Sequence, residues 1–349
     1  MFAKSSLVQV IVQGTPHRLL GLVFALLLSA SASANTINPE SNDSELVTSE
    51  PTGTGVIRIV ENDWTSQLIL SKIAGALFQR QGYSVSYQPS SVDEQWGALA
   101  HGIDHVQLEV WQGTMADNFS RLVAAGKVVD AGNHTATTRE DWWYPLYVEK
   151  LCPGLPDWQA LKRCAAIFST ATSGASGRYL AGPWEKPEAA RIRALGLNFT
   201  VEQADNADHL WRALATAEKS GQPIVLFNWT PNWVEDRYQG RFIEFPQHTQ
   251  ACEEDPSWGV NPDYLFDCGN PKDGWLKKAT WHGFPARWPC AFELLKNIDF
   301  TNGMIAGLSA RVDVDGLTPA QAANEWLGEQ RALWETWMPT CHKTPASEA

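Results

Sequence analysis

The sequence predicts an α/β fold built on a parallel sheet, and three observations carry this. Between Gly55 and Val110, short apolar or alternating runs take turns with amphipathic ones, the pattern of strands joined by covering helices. Ile224 to Phe227 is a short apolar run ended by polar residues and Pro231, as a buried strand is. Just beyond it stand Trp229 and Trp233, with Thr230 and Asn232 between them, at a strand-to-turn junction where α/β proteins present ligand-contacting side chains.

Taken in order, residues 1–34 read as an export signal. Lys4 and Arg18 flank its start, Leu19 to Leu28 is nearly all apolar, and Ala32-Ser33-Ala34 offers a small-residue cleavage site. The run is shorter than the ~20 residues that span a bilayer, and no Cys follows the site to carry a lipid. The mature protein, starting at Asn35, is expected to be soluble in the periplasm. Residues 35–54, rich in Ser, Asn, Glu, Thr and Pro, read as a disordered lead-in.

Gly55 to Val60 is the first expected strand, followed by a helix over Gln67 to Arg80 with Leu68, Ile69, Ile73, Ala76 and Leu77 at helical spacing. Tyr83 to Tyr87, a helix over Ser91 to Ala100, and a strand at Val106 to Val110 complete that half, with Trp111 just past the end. Lys127 to Asp130 reads as a short strand. Trp142 to Val148 contains Pro145 and suits an edge or inter-domain crossing better than a central strand. A loop and helix cover Cys152 to Ala166. The small residues Ser169 to Gly177 read as the opening of a helix that leads into Arg178 to Leu180, and such an opening exposes backbone N–H groups to an anion. Helices at Pro187 to Leu195 and Ala207 to Glu218 bracket a strand at Asn198 to Val201. Arg241 to Phe245 reads as a returning strand, His248 to Lys272 as a long insertion, and Trp281 to Arg287 as re-entry into ordered structure. Ala291 to Lys296 is helical. Val312 to Gly316 is a turn, with Thr318 as N-cap and Pro319 opening a long helix through Gln321 to Trp337.

The 349 residues suggest two domains, and the net charge of −12 argues against a nucleic-acid surface. Six cysteines suit an oxidising compartment. Cys152 with Cys164 and Cys252 with Cys268 bracket short loops that close easily, which leaves Cys290 and Cys341 to pair by elimination. There is no Cys-x-x-Cys and no zinc-protease pattern around His101 and His105, so both histidines read as surface residues and no cofactor or metal is expected. P-loop, dinucleotide and nucleophile-elbow fingerprints are absent. The Asp-x-Asp-Gly at 313–316 lacks the remaining ligands of a calcium loop.

The tryptophans stand out: the chain holds 17. A single Trp is most often a core residue. Trp64, Trp111 and Trp229, however, all sit at or just past strand ends beside polar residues, and Trp142, Trp143 and Tyr144 sit at the expected crossing. Such a set suits an aromatic cage for a quaternary ammonium, which offers dispersed charge and methyl groups but no hydrogen-bond donor.

These residues resemble the substrate-binding proteins of glycine betaine/choline ABC transporters, the ProX/OpuAC-like family. The resemblance runs from Gly55 to Met338. It is carried by Glu109-Val110-Trp111 with Asn118, by Phe227-Asn228-Trp229-Thr230-Pro231-Asn232-Trp233-Val234, and by a tail from Pro289 through Leu294-Leu295-Lys296-Asn297 and Val312 to Gly316 to Glu325-Trp326-Leu327. It implies a two-lobed periplasmic-binding-protein fold of type II with ligand in the cleft between lobes. Residues 55–145 would form the first part of lobe 1, residues 146–245 lobe 2, and residues 246–349 a disulfide-clipped insertion and the return to lobe 1. It implies Trp111 and Trp229 as cage walls, Trp64 as a further wall, Trp143 or Tyr144 as a fourth side and Asn228 in the binding set. Ser173-Gly174-Ala175 lies where betaine-binding members hold the ligand carboxylate. The chain departs from the family in lacking a Trp in that turn, and in carrying Ser66 where choline-type members carry Asp.

The resemblance further implies a monomeric binding protein, not an enzyme. It would capture glycine betaine or a related quaternary ammonium osmolyte and deliver it to permease subunits in the inner membrane. A choline-binding member of the same family, and an exported hydrolase using the tryptophans as stacking platforms, are the alternatives.

Overall fold

Strand β1 (Val56–Glu61) opens the described chain, which is residues 55–341 apart from 185 and 186 of a computed structural model. The expected export signal and lead-in lie outside the described residues. Helix α1 (Thr65–Arg80) buries Ile69, Ile73 and Leu77 on one face, and Gly82, at φ +90°, lets the chain reverse into β2 (Ser84–Pro89). Helix α2 (Glu94–Ala100) leads to β3 (Val106–Trp111), which is buried along its whole length. Strands β2 and β3 flank β1 in parallel. Trp111 is the last residue of β3, and α3 (Gln112–Ala124) starts directly after it. That helix was not expected, because its first turn is polar. Its buried residues Met115, Phe119 and Leu122 still keep helical spacing.

The next stretch overturns an expectation. Lys127 to Asp130 and the aromatic run at Trp142 belong to one strand, β4 (Val128–Pro145). Its middle buries only His134, Ala136 and Thr138 in alternation, so no large apolar residue marks it as a strand. It is central rather than an edge, and Pro145 is tolerated because it is the last residue.

Helix α4 (Gln159–Cys164) precedes β5 (Gly177–Ala181). Arg178 to Leu180 is therefore strand and not helix, and the Ser/Gly run before it is a turn with no helix N-terminus. Helix α5 (Glu188–Ala194), β6 (Phe199–Gln203), α6 (Ala207–Ser220) and β7 (Leu226–Thr230) follow as expected, except that Trp229 lies within β7. Then come α7 (Val234–Arg237), β8 (Gly240–Phe242) and α8 (Gln250–Glu254).

Strand β9 (Gly274–Trp281) carries the chain back and was missed, since Lys277 and Lys278 interrupt its pattern. Lys278 is fully buried, donating to the carbonyls of Lys296 and Ile298. After it come α9 (Phe284–Arg287), α10 (Pro289–Asn297), α11 (Asn302–Asp313), α12 (Pro319–Glu329) and α13 (Arg331–Trp337). Helix α11 was not anticipated, and the turn placed at Val312 begins inside it. Thr318 and Gln321 form a capping box ahead of α12, with Pro319 in its first turn. The long terminal helix is broken at Gln330. All three cysteine pairs form as expected: Cys152–Cys164, Cys252–Cys268 and Cys290–Cys341.

The strands run in the order β2-β1-β3-β9-β4-β7-β5-β6, with β8 on β4. Strand β4 serves both halves. Up to Thr138, which faces Gly274, it pairs with β9. From Arg139, which faces Thr230, it pairs with β7. The pairing thus passes inside β4 from β9, on the side of the first lobe, to β7, on the side of the second. The insertion packs on the second lobe through Arg191 of α5. This buried guanidinium donates to Glu188, Asp141, the Cys268 carbonyl and Asn270 at 2.8–3.2 Å. His105 is also not at the surface: its buried ring lies 4.7 Å from Trp288 and takes the Arg58 backbone N–H. Among the described residues no cluster suits a metal ion, and no helix is long and apolar enough to cross a membrane.

Candidate functional site

The C-terminal ends of β1, β3, β5 and β7 converge on one small cavity of about 30 Å³. Trp64, Trp111, Met115 and Thr114 line it from the first lobe, and Trp184, Trp229, Phe227 and Glu140 from the second. Trp64 is the N-cap residue of α1 and Trp111 that of α3, so both rings project from strand-to-helix junctions. Trp229 and Phe227 alternate on one face of β7, their rings 5.8 Å apart.

Trp184 follows β5 and stands between the lobes. It meets Trp229 edge to face at 5.2 Å and Trp64 at 6.3 Å, and its indole N–H donates to Asp63 at 3.3 Å. Gly182 makes this possible. A Cβ there would come within 2.5 Å of the Trp184 ring and 3.1 Å of Phe227.

Four indoles therefore surround one small volume. Glu140, on β4 just past the exchange between lobes, adds a carboxylate that accepts the Thr114 hydroxyl across the cleft. Among the described residues no Lys or Arg lines the cavity. The neighbouring wider cleft, its entrance, is bordered by Glu61, Asp63, Asp93, Glu94 and Asp117, and acidic walls raise the local concentration of cations.

Behind the first-lobe walls lies Glu109. One of its carboxylate oxygens accepts the Trp64 N–H at 2.6 Å, the Trp111 N–H at 3.0 Å and the Ser66 hydroxyl at 3.0 Å. Burial pushes its carboxyl up to about 7, with these three donors pulling the other way.

Of the residues expected from the sequence, Trp64, Trp111 and Trp229 are brought together here. Trp143 and Tyr144 are buried in β4 away from the cavity. The Trp143 ring lies under Gly240, and the Tyr144 hydroxyl donates to Glu149. Asn228 is buried on β7 with its side chain toward Asn232 rather than among the cavity's lining residues. The Ser173-Gly174-Ala175 turn also lies outside the lining. Ser173 closes it locally, donating to the Ser176 carbonyl at 2.7 Å and accepting the Thr170 N–H at 2.8 Å.

Sequence reasoning missed Trp184, Glu140, Thr114 and Met115. Trp184 was findable: once Arg178 to Leu180 is read as strand, it occupies the same strand-end place as Trp64 and Trp111.

Two lobes joined through a shared strand, with aromatic residues from both lining one cavity, are the architecture of a two-lobed binding protein. The chain belongs to the OpuAC family, the substrate-binding domain of ABC-type glycine betaine transport systems, whose model matches residues 55–329. It is 36% identical over 329 residues to the trimethylamine N-oxide-binding protein of Pelagibacter ubique (strain HTCC1062), covering 91% of this chain and 98% of that one. Two solved structures share the fold. One is an ABC-transporter choline-binding protein in complex with choline (19% identity, TM-score 0.65, 82% of this chain and 93% of that one). The other is lactococcal OpuAC, closed on glycine betaine (16% identity, TM-score 0.63, 82% and 100%). The protein is thus a substrate-binding protein of OpuAC type, a family of binding proteins rather than enzymes.

Proposed function

We propose that this protein captures a small trimethylated amine in the four-tryptophan cage, trimethylamine N-oxide first, and hands it to the permease of an ABC transporter. The carrying observation is the four-indole lining of the cage. Four π faces attract a methylated cation, each desolvated contact contributing about 2 kcal/mol, and among the described residues the ionisable lining group is Glu140. Glycine betaine carries its own carboxylate. Among the described lining residues that group finds a like charge in Glu140 and no Lys or Arg, and the Ser173–Ala175 turn lies outside the lining.

Trimethylamine N-oxide has no carboxylate. Its oxygen is a base of about carboxylate strength, so one proton taken from solvent can be shared between it and Glu140. The Thr114 hydroxyl stands beside them as a second donor. The 36% identical relative, which binds this compound, supports the same reading. Choline is the second reading, favoured by the same carboxylate, which would accept its hydroxyl.

Residues 1–34 fit export to the periplasm, and the protein acts there as a monomer without cofactor.

Glu140→Gln is the test. It keeps the shape and removes the charge. Calorimetric titration is expected to show weaker binding of trimethylamine N-oxide and a narrowed gap to glycine betaine. An unchanged ratio of the two affinities would refute the role given to Glu140.

A further inference from the structure

We infer that Glu109, which does not itself line the cage, is its positioning and specificity-determining residue. As a carboxylate it fixes two walls at once and sets the preference for a cation over a neutral ligand of the same shape. This deepens the proposed function and rests on it.

Three observations carry the inference. First, a single oxygen takes both indole N–H groups and the Ser66 hydroxyl, so the N–H edges of Trp64 and Trp111, which both line the cavity, share one anchor. Second, satisfying an indole N–H does not require an acid in this protein. Trp334 donates to the Leu327 carbonyl at 2.7 Å, and Trp288 buries its N–H with no partner among the described residues.

Third, among the described residues Glu109 is an acid without a counter-charge. It is fully buried, and its second oxygen has no hydrogen-bond partner among the described residues. The cations on the elements packed around β3 are committed elsewhere. Arg58 of β1 holds the Gly102 carbonyl, Lys72 of α1 holds Glu61, Arg80 of α1 lies over the Trp334 ring and Arg121 of α3 donates to Asn118. On β9, Lys277 holds Asp130 and Lys278 the last carbonyls of α10. His134 of β4, which binds the Leu108 carbonyl, is driven down to about 3 by burial and stays neutral. Buried Glu188, by contrast, has Arg191.

Burying an uncompensated acid is costly. A cation in the cage, one indole away, is the missing counter-charge. A carboxylate behind the rings also adds negative potential to the faces that such a cation meets.

The test uses the mature protein with tetramethylammonium as the cation and tert-butyl alcohol as a neutral body of similar size, both followed by tryptophan fluorescence. Glu109→Gln is expected to weaken tetramethylammonium about ten- to a hundredfold by loss of a charge at short range, while tert-butyl alcohol changes less than threefold. Equal weakening of both would make Glu109 a structural residue only, and no weakening of either would remove it from the site; both outcomes overturn the inference.

Should the variant not fold, the wild type decides. Its affinity for tetramethylammonium should rise between pH 6 and 8 as Glu109 ionises, with tert-butyl alcohol flat. Lys278, brought down to about 8 by burial, titrates nearby, but its ammonium donates to the carbonyls of Lys296 and Ile298 at the end of α10 and should not be read by the ligand. Parallel or flat profiles overturn the inference. A wild type blind to tetramethylammonium and trimethylamine N-oxide alike overturns the proposed function, and the inference with it.

Discussion

Trp184→Ala offers the sharpest mutational probe of the cage. Trp184 is the second-lobe wall that approaches both Trp64 and Trp229 and bonds Asp63 across the cleft. Removing it deletes one desolvated cation–π face, about 2 kcal/mol, which corresponds to about a 30-fold rise in Kd. It also deletes the Asp63 hydrogen bond, so closure on the ligand should be less favourable still. Trp184→Phe retains a ring and loses only that donor, and should cost less than tenfold. Calorimetry with trimethylamine N-oxide reads both variants. Melting temperatures should stay close to wild type, because the side chain is only half-buried and caps no core layer. A Kd for Trp184→Ala within threefold of wild type would refute the reasoning and leave a three-walled site.

Gly182→Ala should reproduce part of that loss without touching the ring, since its methyl would press on Trp184 and Phe227; titration beside a thermal melt separates displaced wall from lost stability. Arg191→Ala removes a buried cation bound to Asp141 and Glu188, a loss of about 3–5 kcal/mol that urea unfolding would detect. The raised Glu109 has a definite sign in stability. The folded protein keeps a proton that the unfolded chain loses above 4.5, so this contribution is full below 4.5 and gone once pH passes about 7. The span corresponds to about 3 kcal/mol. His105 and His134, driven down to about 4 and about 3, act oppositely: their contribution is present above 6.5 and lost as pH falls. Unfolding of Glu109→Gln against wild type at pH 5 and 8 isolates the carboxyl, and the variant should gain relative to wild type at the higher pH.

Much of the site was legible because strand ends advertise themselves. Trp64 and Trp111 follow runs whose apolar pattern is plain, and Trp229 sits in one. Trp184 was hidden by its approach: Ser169 to Gly177 is rich in residues that open helices, and only Tyr179 and Leu180 announce the strand behind it. Glu140 was hidden by β4. The strand's middle is polar and half-exposed, so the aromatic run beyond it looked like a separate crossing, and Trp143 and Tyr144 were credited with a wall, whereas Trp184, in the loop after β5, lines the cavity. Burial without apolarity explains the other misses. Lys278 and Glu109 are polar residues inside the protein, held by helix-end carbonyls and by indole N–H groups, and no periodicity in a sequence marks such partners.

The most direct measurement is calorimetric titration of the mature protein with trimethylamine N-oxide and glycine betaine side by side. A cage of four indoles closed by a carboxylate predicts saturable binding of the N-oxide with clearly weaker betaine. Betaine binding as tight or tighter would mean that its carboxylate finds a partner here after all, and would contradict the account.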